Sequence, residues 1–330
     1  MAATLKNLAA QVEVREPVSS GRLTLYPLFE IDASTEPRSI NYLLLEEALD
    51  SGLLEIGEVC ESGDVNTVVI NNMTGKPVLI IDGEEILGAK QNRMVNATIL
   101  VAAAQKVEIP VSCVERGRWN YTSEKFSKSD TIAYSSLRRQ KAAQVSMNLA
   151  AEQGFASDQG AIWAEIDRTQ EHMRTNAPTG ALHETYRQKD EELNHMVEDL
   201  QLYPGQVGIA AYISNRFICL DLFDKAATLE KLWPRLLRSY ALDALASTDS
   251  RLDAPLPEAA EVIGKIDNST YLTYPSVGLG LDLRFSSPDI IGAGLVADDQ
   301  LVHLSVFSAA ESDRQGGISS PRRRKRNLSL

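Results

Sequence analysis

Short apolar runs separated by turn residues fill the first third of the chain. Each run is rich in β-branched or aromatic residues and ends at a cluster such as Ser62-Gly63-Asp64, a pattern that predicts strands. The predicted strands cover residues 23–29, 55–60, 65–70, 77–81, 95–102 and 106–114. Between the first two, Leu45, Ala48 and Leu49 recur at helical spacing, which predicts a helix within residues 42–54.

The pattern changes to long, charged segments with a helical period between about residues 134 and 202. One face of the first segment carries Trp163, Ile166, Gln170 and Met173. One face of the next carries Leu182, Tyr186, Leu193, Val197 and Leu200. Since spacings of three and four residues place side chains on one side of a helix, we predict a helical insertion over residues 131–202.

Strands return after this insertion, at residues 207–213 and 216–223, and a long helix follows them. Its apolar stripe consists of Leu229, Leu232, Trp233, Leu236, Leu237, Tyr240, Ala244 and Leu245. Pro234 must lie in the first turn of that helix or kink it. Alternating apolar residues predict a further strand within 277–285, and residues 296–301 are typical of a hairpin turn.

These elements predict an α+β fold. Its core would be a mostly antiparallel β-sandwich or barrel-like sheet, with the helical insertion and one helix of the C-terminal half packed on it. We divide the chain into an N-terminal extension (1–20), one composite domain (21–307) and a disordered basic tail (308–330). The domain holds strands over 21–130, the helical insertion over 131–202, and strands with a helix over 203–307.

The net charge of the chain restricts the kinds of molecule that it is expected to bind. The 330 residues include 33 Lys and Arg against 45 Asp and Glu, a formal charge of −12. Five of the bases stand together in residues 322–326, so the rest of the chain carries −17. Because a general nucleic-acid-binding protein needs a basic surface, we expect no nucleic-acid partner.

Cysteine usage and hydropathy bear on the compartment. Cys60, Cys113 and Cys219 are odd in number and far apart, which indicates reduced thiols and not a disulfide framework. The first residues lack the basic start and apolar stretch of a signal peptide, and no apolar run approaches the ~20 residues that span a bilayer. We therefore expect a cytoplasmic protein with no membrane role.

Two patterns imitate ligand sites. Gly292-Ala293-Gly294 resembles a dinucleotide-binding fingerprint, but that motif needs a helix to begin within it, whereas the following residues predict a turn and a strand. The four histidines lack the spacing of zinc ligands, and His183 and His195 are best explained as the surface of a charged helix. A magnesium site made of carboxylates alone stays open.

Dense polar residues follow the predicted strand at 77–81. They comprise Asp82, Glu84, Glu85, Lys90, Gln91, Asn92 and Arg93. In one interpretation, Asp82-Gly83 is a tight hairpin turn and both glutamates are solvated. In the other, the cations and amides bind phosphate, carboxylate or ribose hydroxyls, since arginine offers a bidentate fork and amides both donate and accept hydrogen bonds.

A second polar cluster ends the predicted strand at 106–114. Glu115, Arg118 and Trp119 would supply a carboxylate, an anion-binding fork and a flat ring on which a base can stack. The alternative places Trp119 in the core and pairs Arg116 with Glu115 at the surface. Cys113 lies within the apolar strand, where a thiol is usually an inert small hydrophobe.

Several of these segments together make the chain similar to a known family. The blocks at residues 25–29, 82–85, 88–93 and 109–119 resemble the ARG and rhodanese-phosphatase-superfamily-associated protein domain of bacteria and archaea. The likeness covers about residues 14–307. The family's name associates it with ADP-ribosylglycohydrolases and rhodanese-like phosphatases, which implies a role in NAD-derived or ADP-ribose metabolism and points to no particular catalytic residues.

Two functions remain open at this point. In the first, the protein binds or processes an NAD-derived or ADP-ribose-like phosphorylated small molecule, as a sensor, a hydrolase or a transferase. The ligand would contact Lys90, Gln91, Asn92, Arg93, Arg118 and Trp119. Glu84, Glu85 and Glu115 would act as general base or hold a divalent cation such as Mg²⁺. In the second, the protein is a non-catalytic scaffold that forms a homo-oligomer through its helical insertion, around Trp163 and Tyr186.

Overall fold

The structure, a computed structural model, describes residues 8–31, 40–60, 63–248 and 258–309. Within them the chain forms eighteen strands and eight helices, and the predicted α+β class is confirmed. The strands are β1 (Val12–Val14), β2 (Val18–Ser20), β3 (Leu23–Glu30), β4 (Leu43–Leu44), β5 (Leu54–Glu58), β6 (Thr67–Asn72), β7 (Val78–Ile80), β8 (Glu84–Gly88), β9 (Arg93–Val95), β10 (Ile99–Val101), β11 (Gln105–Cys113), β12 (Phe126–Ile132), β13 (Gln206–Ile213), β14 (Arg216–Phe223), β15 (Leu272–Pro275), β16 (Leu281–Ser286), β17 (Ile290–Ala297) and β18 (Gln300–Ser308). The helices are α1 (Leu8–Gln11), α2 (Leu45–Asp50), α3 (Ser135–Ala150), α4 (Gln159–Met173), α5 (Leu182–Gln188), α6 (Asp190–Val197), α7 (Ala226–Ala246) and α8 (Ala259–Asp267).

The strands form three sheets. The largest has nine strands in the order β1-β3-β13-β14-β18-β17-β16-β15, with β2 also paired to β3. A six-stranded sheet has the order β12-β8-β9-β11-β6-β5, and a three-stranded sheet has the order β10-β7-β4. The pairing is antiparallel, as predicted, except between β4 and β7, which run parallel.

Strand β3 shows why the nine-stranded sheet has few polar positions. Seven of its eight residues are buried. Leu23 and Leu25 belong to a first core that α3, α4 and α7 also line, whereas Tyr26 and Leu28 belong to a second core lined by α1 and α8. Because successive side chains of a strand alternate between its faces, a strand covered on both faces is a continuous apolar run.

A third apolar core lies against the two smaller sheets. Val68 of β6 and Leu45 of α2 pack there with Val78 and Ile80 of β7. Leu79, between the last two, belongs to the first core instead. The turn that follows β7 is therefore held between two cores, which gives the first polar cluster a rigid support.

The helical insertion consists of α3 to α6 and covers the first core. Ile162 and Ile166 of α4, Tyr186 of α5 and Leu193 of α6 are buried there. Trp163, which was expected on the buried face, is only partly buried, because Ile162 takes that position. Of the two residues around which the scaffold hypothesis placed its contact, Tyr186 is 4% exposed and Trp163 is partly buried.

Helix α2 is shorter than the helix predicted within 42–54. The Glu47 carboxylate accepts a hydrogen bond from the backbone N–H of Leu44 at 2.9 Å, which fixes the start of the helix at Leu45. Residues 43–44 instead form β4. Pro234 was expected either in the first turn of the long helix or at a kink inside it. It lies inside α7, beyond the first turn.

Several short elements have no counterpart among the predictions. Strands β1 and β2 lie within the region expected to be an extension, and both pair with β3. Strand β15 and helix α8 were also missed. Strands β1, β2 and β15, of three or four residues, contain too few positions to show a period, so their pairing partners define them. The predicted basic tail lies outside the described residues from position 310 onward.

The glycine pair at 292 and 294 lies in β17, and no helix begins within it, which agrees with the rejection of a dinucleotide-binding fingerprint. Gly292 is paired with Phe285 of β16, and the Phe285 ring packs over the position that a side chain on residue 292 would occupy. The glycine therefore serves the packing of an aromatic ring and not the approach of a dinucleotide.

We expect Gly292→Ala to lower the free energy of unfolding by about 1–3 kcal/mol, the usual cost of overpacking a filled core. Urea unfolding measures the loss. The control is Gly264→Ala in α8, where no atom lies within 4 Å of the added methyl group. That variant should be neutral or more stable by up to about 1 kcal/mol, because alanine favours a helix. Equal losses in both variants would contradict this explanation.

Candidate functional site

The first polar cluster begins at the turn between β7 and β8. Asp82 and Gly83 form the tight turn that was expected, and Gly83 has a φ of 89°. The turn joins two different sheets, however, and not two strands of one hairpin. The interpretation of Glu84 and Glu85 as solvated is wrong, since they are 1% and 0% exposed.

The two glutamates face different partners because neighbouring side chains on a strand point to opposite faces. Glu84 forms an ion pair of 2.8 Å with Arg235 of α7 and accepts a hydrogen bond from the backbone N–H of Ile81 at 2.9 Å. Glu85 accepts a hydrogen bond from the Ser129 hydroxyl at 3.0 Å. Glu84 therefore joins β8 to α7 and lies apart from the other predicted site residues.

His183 is the partner of Glu85 that sequence reasoning missed. Its Nδ1 lies 3.7 Å from Glu85 Oε1 and 3.2 Å from Asn92 Nδ2. The expected position on a charged helix surface is wrong: the side chain is 31% exposed and one edge faces the buried carboxylate. The reason is that α5 begins beside the second motif, where the backbone N–H of Leu182 donates to the carbonyl of Val114 at 2.9 Å.

This contact shifts the pKa of both groups. The Glu85 carboxylate raises the pKa of His183 and outweighs the opposite effect of its burial. Complete burial raises the pKa of Glu85, while His183 and Ser129 lower it only in part. Both groups therefore hold a proton more readily than in water.

Glu115 and Arg118 form the centre of the second cluster. Arg118 donates from Nη2 and Nε to Glu115 Oε2, at 2.6 and 2.9 Å. It also donates to Asn92 Oδ1 at 3.0 Å, which links both polar clusters. Burial raises the pKa of Glu115, but hydrogen bonds from Arg118 and Thr179 outweigh it and the net pKa is lowered. This guanidinium is thus occupied in holding the two clusters together.

The alternative pairing of Arg116 with Glu115 is wrong. Arg116 forms an exposed ion pair of 2.7 Å with Asp167 of α4. Cys113 is buried at the end of β11, and burial raises the pKa of its thiol to about 11, which agrees with an inert cysteine.

Arg93 is completely buried in spite of its charge. Its Nη1 donates to Gln91 Oε1 at 3.0 Å, its Nη2 donates to the carbonyl of Asp64 at 3.3 Å, and the Glu58 carboxylate lies 3.8 Å away. These contacts engage both terminal nitrogens of the guanidinium, whereas Nε has no hydrogen-bond partner among the described residues. Arg93 and Gln91 are therefore buried side chains that support the candidate site from within the protein.

Trp119 covers Arg93, with the guanidinium carbon 5.6 Å from the ring centroid. The placement of Trp119 in the core is wrong, because 46% of it is exposed. Tyr121 is 48% exposed, and Lys90 Nζ lies 5.6 Å from the Trp119 ring and 5.1 Å from the Tyr121 ring. We call Trp119, Tyr121 and Lys90 the aromatic platform. It combines two accessible rings with an ammonium group.

The predicted residues thus separate into three groups. The first is the hydrogen-bonded cluster, the second lies at or under the aromatic platform, and the third faces α7. The hydrogen-bonded cluster contains Glu85, Asn92, Glu115 and Arg118; the platform group contains Lys90, Gln91, Arg93 and Trp119; Glu84 alone faces α7. Sequence reasoning missed Tyr121, whose signal was its place two residues after Trp119, and His183, which had none.

Two further observations concern metal binding and the crossing of a membrane. Among residues 8–31, 40–60, 63–248 and 258–309, no group of three or more His, Cys, Asp or Glu side chains is arranged to hold a metal ion. Within the same residues, the helices are too short or too polar to cross a lipid bilayer.

A comparison with known protein families covers the residues of the candidate site and the sheets around it. The model of the ARG and Rhodanese-Phosphatase-superfamily-associated Protein domain (ARPP-1) matches residues 11–307. The chain belongs to this family. The ARPP-1 domain therefore includes all three sheets, both polar clusters and the aromatic platform. No curated protein and no solved structure matches the chain.

We expect Glu85→Gln in this ARPP-1 domain to lower the pKa of His183, because the carboxylate that raises it is lost while burial remains. NMR titration of the imidazole measures the change. In the wild type, the protonated imidazole stabilises the fold at low pH, and this stabilisation is lost as the pH rises through the raised pKa.

Glu191→Gln, an exposed position at the start of α6, is the control and should leave the His183 titration unchanged. A His183 pKa that stays the same in Glu85→Gln would show that Glu85 does not control it.

Proposed function

We propose that this ARPP-1 domain binds a phosphorylated, nucleotide-derived small molecule of the NAD or ADP-ribose class at the aromatic platform. The observation that carries the proposal is the exposure of Trp119 and Tyr121 beside the Lys90 ammonium group. Flat aromatic rings stack on bases, and here two accessible rings lie beside one ammonium group. An ammonium group between them would bind a phosphate.

The charge of the chain sets a condition on this ligand. A body of −17 repels an anion at long range, so binding must come from close contacts. Arg93 contributes through its buried position under Trp119, where its positive charge faces the ring. Gln91 and Arg93 pair with each other, so in this proposal they hold the platform in place while Lys90 meets the phosphate.

His183 is the group that we assign to processing of the bound molecule. It is partly exposed, its pKa is raised by Glu85, and Asn92 fixes its ring. As a hydrolase or transferase, the protein would use His183 to take up or give a proton, with Glu85 orienting the ring. Glu115 and Arg118 would position Asn92. Reduced cysteines and a nucleotide-derived ligand favour the cytoplasm as the place of this reaction.

The test is isothermal titration calorimetry of the full chain with ADP-ribose, NAD and ribose 5-phosphate, each with and without Mg²⁺. We expect Trp119→Ala to weaken binding of ADP-ribose about 5- to 150-fold, since stacking of a base on an aromatic ring contributes about 1–3 kcal/mol. Lys90→Ala should weaken the phosphate-bearing ligands further than a neutral nucleoside such as adenosine.

Tyr203→Ala is the matched control, because Tyr203 is an aromatic residue with 42% exposure outside the platform. It should bind ADP-ribose like the wild type. Absence of binding for all three compounds, or equal binding by wild type and Trp119→Ala, would overturn the proposal.

A further inference from the structure

Lys141 and Asp82 meet in the interior, away from the aromatic platform. Lys141 lies in α3 and its side chain is 0% exposed, and the side chain of Asp82, in the turn before β8, is 4% exposed. Lys141 Nζ contacts Asp82 Oδ1 directly. An amine and a carboxyl group, both without access to water, are thus held against each other by two separate elements of the fold.

The hydrogen bonds around this contact are few. An ammonium group has three N–H donors, and buried donors are normally all paired. Apart from Asp82, the partner of Lys141 among the described residues is the carbonyl of Val95, at 3.1 Å. Within the part of the chain that the structure describes, neither carboxyl oxygen of Asp82 accepts a hydrogen bond, although Arg138 Nε lies 3.5 Å from Oδ2.

Burial also changes the form of the lysine. Removal from water lowers the pKa of Lys141 well below its usual value, and the nearby Arg284 charge lowers it further. The neutral amine is the nucleophilic form of lysine. A proton that passes from Lys141 to Asp82 leaves an amine beside a carboxylic acid, with no charge to bury.

We propose that Lys141 and Asp82 are joined by an intramolecular amide, an isopeptide bond between Nζ and Cγ. The lone pair of Nζ attacks Cγ, the Nζ–Cγ bond forms, and the bond from Cγ to its hydroxyl breaks. The hydroxyl leaves with one amine proton as water, so no oxidant, reductant or other reactant is needed. Arg138, beside Oδ2, would stabilise the negative charge that develops on this oxygen.

The product fits the surroundings better than an ion pair does. A secondary amide has a single N–H, and the carbonyl of Val95 is in place to accept it. The amide oxygen would remain beside Arg138. The bond would also tie the turn after β7 to α3 across a long loop of chain, which restricts the unfolded state as a disulfide does.

The deciding experiment is the intact mass of the purified full chain under denaturing conditions. We expect the wild type to be lighter than its sequence mass by one water molecule. Lys141→Arg should have its full sequence mass. Lys189→Arg, a lysine at the surface of the helical insertion, should keep the loss of water. A wild-type chain at its full sequence mass would overturn the proposal, whether or not the variants fold.

Tryptic peptide mapping separates this bond from another loss of water. Asp82-Gly83 could cyclise to an imide, which would give the same mass. The isopeptide bond blocks cleavage after Lys141 and joins the peptide that contains it to the peptide that contains Asp82. Cleavage after Lys141, with the loss of water confined to the Asp82 peptide, would overturn the proposal.

Discussion

The buried ion pair between Arg138 and Asp221 is the interaction on which the arrangement of the site depends. Two guanidinium nitrogens of Arg138 donate to the two carboxylate oxygens of Asp221, at 3.0 and 2.6 Å, and both side chains are 0% exposed. The Tyr240 hydroxyl donates to Asp221 at 2.6 Å, and His303 Nε2 lies 3.2 Å away. Burial opposes the charge of Asp221, but Arg138 holds the pKa of that carboxyl well below its usual value. Charges removed from water are costly unless an opposite charge and hydrogen bonds compensate them, so the elements that carry Arg138 and Asp221 must meet in one geometry.

The position of Arg138 also determines the geometry of the turn at which the candidate site begins. Arg138 also lies 3.5 Å from Asp82, and its side chain packs where a Cβ on Gly83 would stand. The turn after β7 is therefore set by a buried charge, and Glu84 and Glu85 leave it toward opposite faces. Beyond the turn, Glu85 lies 3.7 Å from His183, and Asn92 contacts both His183 and Arg118. Arg93 and Arg118 form hydrogen bonds within the protein. The candidate side chains that a ligand can reach are those of the aromatic platform and His183.

The sequence pattern predicted the parts of the fold that depend on local rules. The central strands, the helical insertion and the turn at Asp82-Gly83 follow from periods of hydrophobicity and from turn chemistry. The rejection of a dinucleotide fingerprint at Gly292 also followed, because no helix signal accompanies it.

The site was predictable only as two clusters of residues. Which carboxylate faces which partner depends on the packing of distant elements, as with Glu84 and Arg235, and no local pattern contains that information. His183 was hidden for the same reason, since its contact with Glu85 joins α5 to β8 across the fold. Trp119 looks like a core residue by type, and only its neighbours show that it lies at the surface.

A double-mutant cycle on Arg138 and Asp221 tests the central claim, that mutual pairing of buried charges holds the site together. The variants are Arg138→Met, Asp221→Leu and the double substitution, compared by urea unfolding. Each single variant should lose about 3–5 kcal/mol, because it removes the oppositely charged partner of a buried charge, and the double variant should lose clearly less than the sum of the two. Losses that simply add would contradict the account.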